Sequence, residues 1–186
     1  MHIAIFGKRN AGKSSLINCI TNQAVAIVSD TPGTTTDPVY KSMEIHPIGP
    51  VMLVDTAGLD DLGTDIGSLR VSGTERVFNK TDLAVLVIAA NSSEFESENR
   101  LINQLIDKKI PYLIAINKSD LNKSTELLQW MADRKGVDVS ALSGDGIEKL
   151  RKAIIGMAPE NWEPPYVKDL IKPGDTVILV TPIDLG

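Results

Sequence analysis

The sequence predicts an α/β fold: a mostly parallel six-stranded sheet with helices on both faces, plus a short C-terminal extension. Three observations predict it. Short, continuous apolar runs recur along the chain and read as buried strands. Stretches with helical apolar spacing separate them, which implies right-handed crossovers between parallel strands. Polar clusters stand directly after the strands, where an open sheet of this kind binds its ligand.

Taken in order, the first strand begins at His2 and runs through Ile3-Ala4-Ile5-Phe6. Gly7-Lys8-Arg9-Asn10-Ala11-Gly12-Lys13-Ser14 follows, with the pattern G-x-x-x-x-G-K-S. After it, Leu16, Ile17 and Ile20 lie at helical spacing. Strand, glycine-rich turn and helix is the context that a phosphate-binding loop requires. The glycines let backbone N–H groups wrap a phosphate, and the helix points its positive N-terminal end at the same place. Asn10, Ala11, Gly12, Lys13, Ser14 and Ser15 are the candidate contacts there, Lys13 reaching the outer phosphates and Ser14 offering a hydroxyl to a magnesium ion.

Val25 to Val28 is a short apolar piece, and residues 29–38 form a turn-rich loop. Val39 to Ile48 and Val51 to Val54 read as two strands of a hairpin joined through Gly49-Pro50. A glycine-bearing loop begins at Asp55 and gives way to a polar helix that ends near Phe78. Leu83 to Ala90 is a fully buried strand, and Ser93 to Asp107 an amphipathic helix with Leu101, Ile102, Leu105 and Ile106 on one side. Pro111 to Ile116 is a strand; Leu121 to Ala132, Val137 to Val139 and Gly146 to Met157 complete helix, strand and helix. Residues 1–158 are expected to form this nucleotide-binding domain, and 159–186 a linker and the first strand of a following domain.

Composition narrows the function. The 186 residues, 42% hydrophobic and 23% charged, suit one ordinary globular domain. A net charge of −5 leaves no general basic surface, which counts against a nucleic-acid partner. The single cysteine, Cys19, sits among apolar residues of the first helix and reads as a small buried hydrophobe. One cysteine forms no internal disulfide, which suits a reducing compartment. No leader pattern precedes the first strand, and no apolar run approaches the ~20 residues of a membrane helix. The expectation is a cytoplasmic protein with no membrane partner.

The remaining motifs all follow predicted strands. In Asp55-Thr56-Ala57-Gly58 the aspartate can hold a magnesium-bound water, and Gly58 leaves its backbone N–H free for a γ-phosphate. In Asn117-Lys118-Ser119-Asp120 the Asp120 carboxylate matches the N1–H and 2-amino donors of guanine, whereas adenine would leave it unpaired. Matched hydrogen bonding of that kind can discriminate by ~10⁴ or more. Asn117 braces the base and the phosphate loop, the Lys118 stem packs over the ring, and Ser140 and Ala141 support the base from the other side through a backbone N–H, with Leu142 beside them a further candidate contact. Together these loops describe a GTP/GDP site.

With these motifs, residues 2–157 resemble the translation-factor-related small GTPases, which implies a Ras-like fold. Pro32-Gly33-Thr34-Thr35-Thr36-Asp37 is similar to the first switch of the branch containing Era and the tRNA-modifying GTPases. That likeness makes Thr35 a magnesium ligand with Ser14 and Asp55, and Thr36 a departure from the branch's usual arginine. It implies a potassium ion held by Asn10 with the carbonyls of Ser29 and Thr31; a plain cap of the loop's own backbone is the competing role for Asn10. Leu59 stands where Ras-like enzymes orient water with a glutamine, and Gly67 where tRNA-modifying members carry a glutamate. Asp60, Asp61 and Asp65 read as solvated. Catalysis is then expected to be slow, resting on Lys13, Thr35, the Gly58 amide, magnesium and potassium.

The tail Asp169-Leu170-Ile171-Lys172-Pro173-Gly174-Asp175-Thr176-Val177 through Asp184 ends in an apolar strand. It reads either as the start of a further domain or as an extra edge strand. Its wording, with Ala26 to Asp30 and Pro38 to Lys41, resembles the iron–iron hydrogenase maturation GTPases (HydF). That likeness implies a switch domain in metallocluster assembly, with partner maturases or the hydrogenase as partners and a homodimer formed through another domain. The cysteine and histidine cluster ligands of that family are absent from this sequence. The alternatives are an Era-like GTPase acting on ribosomal RNA or tRNA, and a nucleotide-sensing module whose hydrolysis is incidental.

Overall fold

The structure is a computed structural model that describes residues 1–23, 30–31, 39–56 and 77–158. The strands are β1 (His2–Phe6), β2 (Asp30–Thr31), β3 (Val39–Ile45), β4 (Gly49–Asp55), β5 (Leu83–Ala89), β6 (Tyr112–Asn117) and β7 (Gly136–Asp138). The helices are α1 (Lys13–Gln23), α2 (Glu96–Asp107), α3 (Thr125–Trp130) and α4 (Ile147–Met157). Residues 77–80 are also helical, at the end of the polar helix expected there.

One sheet runs in the order β2-β3-β4-β1-β5-β6-β7. β1 lies parallel to β4 and β5, and β5, β6 and β7 continue in parallel. β3 is antiparallel to β4, and β2 to β3. The expected six strands are all present, extended at one edge by the two-residue β2. That addition corrects the reading of residues 29–38 as loop alone: Asp30 pairs with Lys41 and Thr31 with Tyr40. Backbone pairing to a neighbouring strand made it, and no apolar pattern announces that.

Alternation along β1 explains the two-sided core, since successive strand side chains point to opposite faces. Ile3 and Ile5 join Leu16, Ile17 and Ile20 of α1 and Leu150 and Ile154 of α4 in one buried cluster. Ala4 and Phe6 join Leu101, Ile102 and Leu105 of α2 and Leu127 of α3 in the other. β5 is buried at every position, as its unbroken apolar run required.

The boundaries carry several corrections. The hairpin turn lies at 46–48, since Ile45 pairs with Gly49 and Pro50 faces Glu44 within the ladder. α2 begins at Glu96, three residues after Ser93. The preceding loop is occupied by Phe95, which stacks on Trp130 with centroids 4.9 Å apart. Ile106 is exposed, so the buried apolar stripe of α2 is Leu101, Ile102 and Leu105, with Glu98 buried one turn before it. α3 starts at Thr125, not Leu121, because the Ser124 hydroxyl caps it by accepting from the Leu127 N–H at 3.0 Å. The expectations for 25–28, Gly58 through Gly67, Trp162 and the strand beyond 159 lie outside the described residues.

Candidate functional site

The phosphate loop leaves β1 at Gly7 and enters α1 at Lys13. Its second glycine, Gly12, has a φ of +90°, and a Cβ there would stand 2.3 Å from Asn117 Nδ2. Both facts demand glycine: the dihedral is in the left-handed region, and the space belongs to a buried side chain. Asn10 also takes a positive φ, 59°, a conformation that asparagine tolerates better than most residues. It is exposed and makes no hydrogen bond among the described residues, so the backbone-capping role has no contact to support it. Lys13 Nζ donates to the Gly7 and Lys8 carbonyls at 3.0 and 3.1 Å, which holds the ammonium over the loop's own backbone.

Asp55 ends β4 in the sheet position beside β1. Its Oδ2 accepts the Ser14 hydroxyl at 2.6 Å, while Oδ1 is buried with no hydrogen-bond partner. A buried carboxylate oxygen without a donor is costly, and one beside a serine hydroxyl suits a hard cation or its water shell. Ser14 and Asp55 therefore fit magnesium. Among the described residues no group of three His, Cys, Asp or Glu side chains could hold a metal, so the remaining coordination must come from elsewhere, as phosphate and water would supply. The adjacent Thr56 hydroxyl donates to the Ile5 carbonyl at 2.7 Å and ties this corner to β1.

The base side is cross-linked. Asn117, 2% exposed at the end of β6, donates from Nδ2 to the Ala11 carbonyl at 2.9 Å. Its Oδ1 accepts from the Ala141 N–H at 3.0 Å. One buried side chain thus joins the phosphate loop, β6 and the loop after β7. Ser140, 1% exposed, donates its hydroxyl to Asp120 Oδ1 at 2.6 Å. Asp120 Oδ2 accepts no hydrogen bond from the described residues and is open to a ligand. The Ser140 N–H donates to Asp145 and the Ala141 N–H to Asn117, so both amides are engaged within the protein. The serine side chain, not its amide, aims Asp120.

Lys118 adopts φ 60°, which turns the chain sharply between Asn117 and Asp120. Leu142 is 88% exposed, a large apolar side chain left in solvent next to the base side. A shallow cleft runs past it, lined by Ser15, Asn18, Cys19, Ala141, Leu142, Ser143 and Gly144. Cys19 is half-buried and lines that cleft, which corrects the expectation of a buried hydrophobe. Thr31 lies in β2. Ser29, Thr35, Gly58 and Leu59 lie outside the described residues, so the structure places Asn10, Ala11, Gly12, Lys13, Ser14, Ser15, Asp55, Asn117, Lys118, Asp120, Ser140, Ala141 and Leu142 on the same edge of the sheet. The motifs missed one pair. Lys8, a variable position of the loop pattern, stands 3.4 Å from the buried Glu98 of α2.

Residues 2–118 match the family described as 50S ribosome-binding GTPase. The tRNA modification GTPase MnmE of Acetivibrio thermocellus is 37% identical over 153 residues, covering 81% of this chain and 33% of that protein. MnmE of Clostridioides difficile is 35% identical over 156 residues, 82% of this chain and 33% of that protein. The chain therefore spans about a third of the length of these relatives. Among solved structures, Aquifex aeolicus Era bound to GDP and AlF4⁻ superposes with a TM-score of 0.64 at 25% identity, over 86% of this chain and 57% of that one. The FeoB G domain of Methanococcus jannaschii gives 0.58 at 28% identity, over 84% and 96%. Among the described residues no helix is long and apolar enough to cross a membrane. With its phosphate loop, its buried asparagine bridge and these relatives, the chain belongs to the 50S ribosome-binding GTPase family and is an α/β, Ras-like GTPase domain.

Proposed function

We propose that this domain is the magnesium- and potassium-dependent GTP switch of a larger protein, turning over slowly and acting through the difference between its GTP and GDP forms. The observation that carries the switch reading is the Asn117 bridge, which makes base recognition and phosphate binding one mechanical unit. Ser14 and Asp55, with Thr35, would hold magnesium, which would neutralise charge on the transferring phosphoryl group. Lys13, held over the loop's own backbone, would reach the outer phosphates, and the Gly58 amide would meet the γ-phosphate. Asn10, with the Ser29 and Thr31 carbonyls, would hold potassium; its exposure and its lack of a hydrogen bond among the described residues support that role. Steady-state GTP turnover in potassium against sodium tests it. Stimulation by potassium that disappears in Asn10→Ala is expected, and equal rates in both salts would refute the cation site.

The client of the switch has two readings. The relatives are named for tRNA modification, and they support an RNA-linked GTPase. The wording of residues 26–41 and 169–184 instead favours a hydrogenase-maturation role, with partner maturases or the hydrogenase as partners. No relative named above carries a hydrogenase-maturation name, so that reading rests on the sequence of those stretches alone, and the comparisons favour the first. Purified full-length protein separates them. Bound iron and acid-labile sulfide would support the maturation reading, and GTP turnover stimulated by tRNA the other.

A further inference from the structure

We propose that Lys8 is a positioning residue for Lys13, acting through a buried ion pair with Glu98 that anchors the phosphate loop to the first turn of α2. The Lys8 ammonium donates to the Glu94 carbonyl at 2.5 Å and stands 3.4 Å from Glu98 Oε2. Glu98 is 1% exposed and its Oε2 accepts no hydrogen bond, so Lys8 acts on that oxygen through its charge. A carboxylate taken out of water needs compensating charge, and the helix N-terminus adds a smaller favourable field. Lys8 is itself only 24% exposed, so this pair is poorly screened compared with a surface one.

The backbone of the same residue faces the reaction. The Lys8 carbonyl accepts from Lys13 Nζ at 3.1 Å and from the Ala11 N–H at 3.2 Å. One residue therefore has its side chain fixed to α2 and its carbonyl fixed to the ammonium that meets the phosphates. Gly7, which supplies the other carbonyl under Lys13, has no side chain with which to anchor itself. On the far side the loop is held by Asn117 at the Ala11 carbonyl. Lys8 and Asn117 thus fix the loop from two elements, α2 and β6. Releasing either shifts Lys13 or its neighbours, and misplacements of about 1 Å can cost ~10²-fold in rate. Through Lys8, α2's first turn becomes part of the phosphate site, although none of its side chains reaches the ligand pattern.

The proposal rests on the GTPase reading, and its test keeps the two apart. Melting temperature, affinities for fluorescent GTP and GDP analogues, and kcat and KM are measured for wild type, Glu98→Gln, Lys8→Met, Lys8→Arg and the Lys8→Met/Glu98→Gln double variant. Glu98→Gln keeps the fold and lowers kcat about fivefold to tenfold, with a smaller change in KM. Lys8→Met lowers both melting temperature and kcat. The double variant stays about tenfold slow whatever its melting temperature, and Lys8→Arg recovers the rate. A double variant at the wild-type rate, or Glu98→Gln at the wild-type rate, overturns the proposal. If Lys8→Met does not fold, Glu98→Gln against wild type decides. Wild type that binds GTP without hydrolysing it would refute the GTPase reading alone. The GTP-to-GDP affinity ratio then decides for Lys8: about fivefold lower in Glu98→Gln if the anchor positions Lys13, unchanged if it does not.

Discussion

Asn117→Ala should separate the bridge's two roles, holding the fold and pre-organising the nucleotide site. The asparagine gives one hydrogen bond of 2.9 Å to the Ala11 carbonyl and takes one of 3.0 Å from the Ala141 N–H. The net worth of such a bond is about 1 kcal/mol, and leaving a buried partner unsatisfied costs about 1–3 kcal/mol. Ala11 is buried and Ala141 only partly so, which allows water to repair the second site more than the first. A loss of about 2–4 kcal/mol follows, because the first partner pays most of the desolvation and the second little. For a domain of this size that lowers the melting temperature by about 4–16 °C, at about 2–4 °C per kcal/mol. GTP and GDP affinities should fall together, by at least about tenfold, since ordering the two loops must then come out of binding free energy. Differential scanning fluorimetry and titration with a fluorescent GDP analogue check both. A variant that melts as wild type and binds as wild type would show that the bridge carries neither load.

Two further outcomes follow from the same geometry. Asp120→Asn should weaken GTP binding by about 10³-fold or more and admit xanthosine triphosphate, because the carboxylate that matches guanine's two donors becomes an amide; unchanged GTP affinity in competition assays would show the base site to be misassigned. Gly12→Ala places a Cβ 2.3 Å from Asn117 Nδ2 at a φ of +90°, so it should break the bridge as well as strain the loop. Its melting temperature should fall at least as far as that of Asn117→Ala, and a stable, binding-competent Gly12→Ala would refute the packing argument.

The fold was legible where one physical signal dominated. β5 is apolar at every position because both faces are covered, and the α1 spacing of Leu16, Ile17 and Ile20 buries all three. The site was legible wherever a short motif carries its own geometry, as in the phosphate loop and the Asn117 to Asp120 turn. What could not be read depended on distant partners. Ser140 announces no orientation until Asp120 lies across from its hydroxyl. Glu98 reads as an ordinary polar residue of an amphipathic helix until Lys8 is brought against it from the start of the chain. β2 exists through its pairing to Tyr40 and Lys41, and the hairpin turn moved to 46–48 because ladder register outweighed the Gly-Pro signal.

The two halves of the site differ in how much is built into the described residues. On the base side, Asn117 has both ends bonded, and Ser140 fixes one oxygen of Asp120 while leaving the other open. Little ordering remains to be done when guanine arrives, so the base contributes an affinity that GDP and GTP share. On the phosphate side, Lys13 rests on backbone carbonyls and Asp55 Oδ1 has no donor. Metal, water or phosphate would supply the partner that Asp55 Oδ1 lacks. On the proposed reading, discrimination between the two nucleotides would originate at Lys13, Ser14 and Asp55 with the switch residues, while Asp120 would set which nucleotides enter at all. A switch needs that division: a shared anchor keeps nucleotide bound through hydrolysis, and an uncommitted phosphate half lets the loss of one phosphoryl group change the protein.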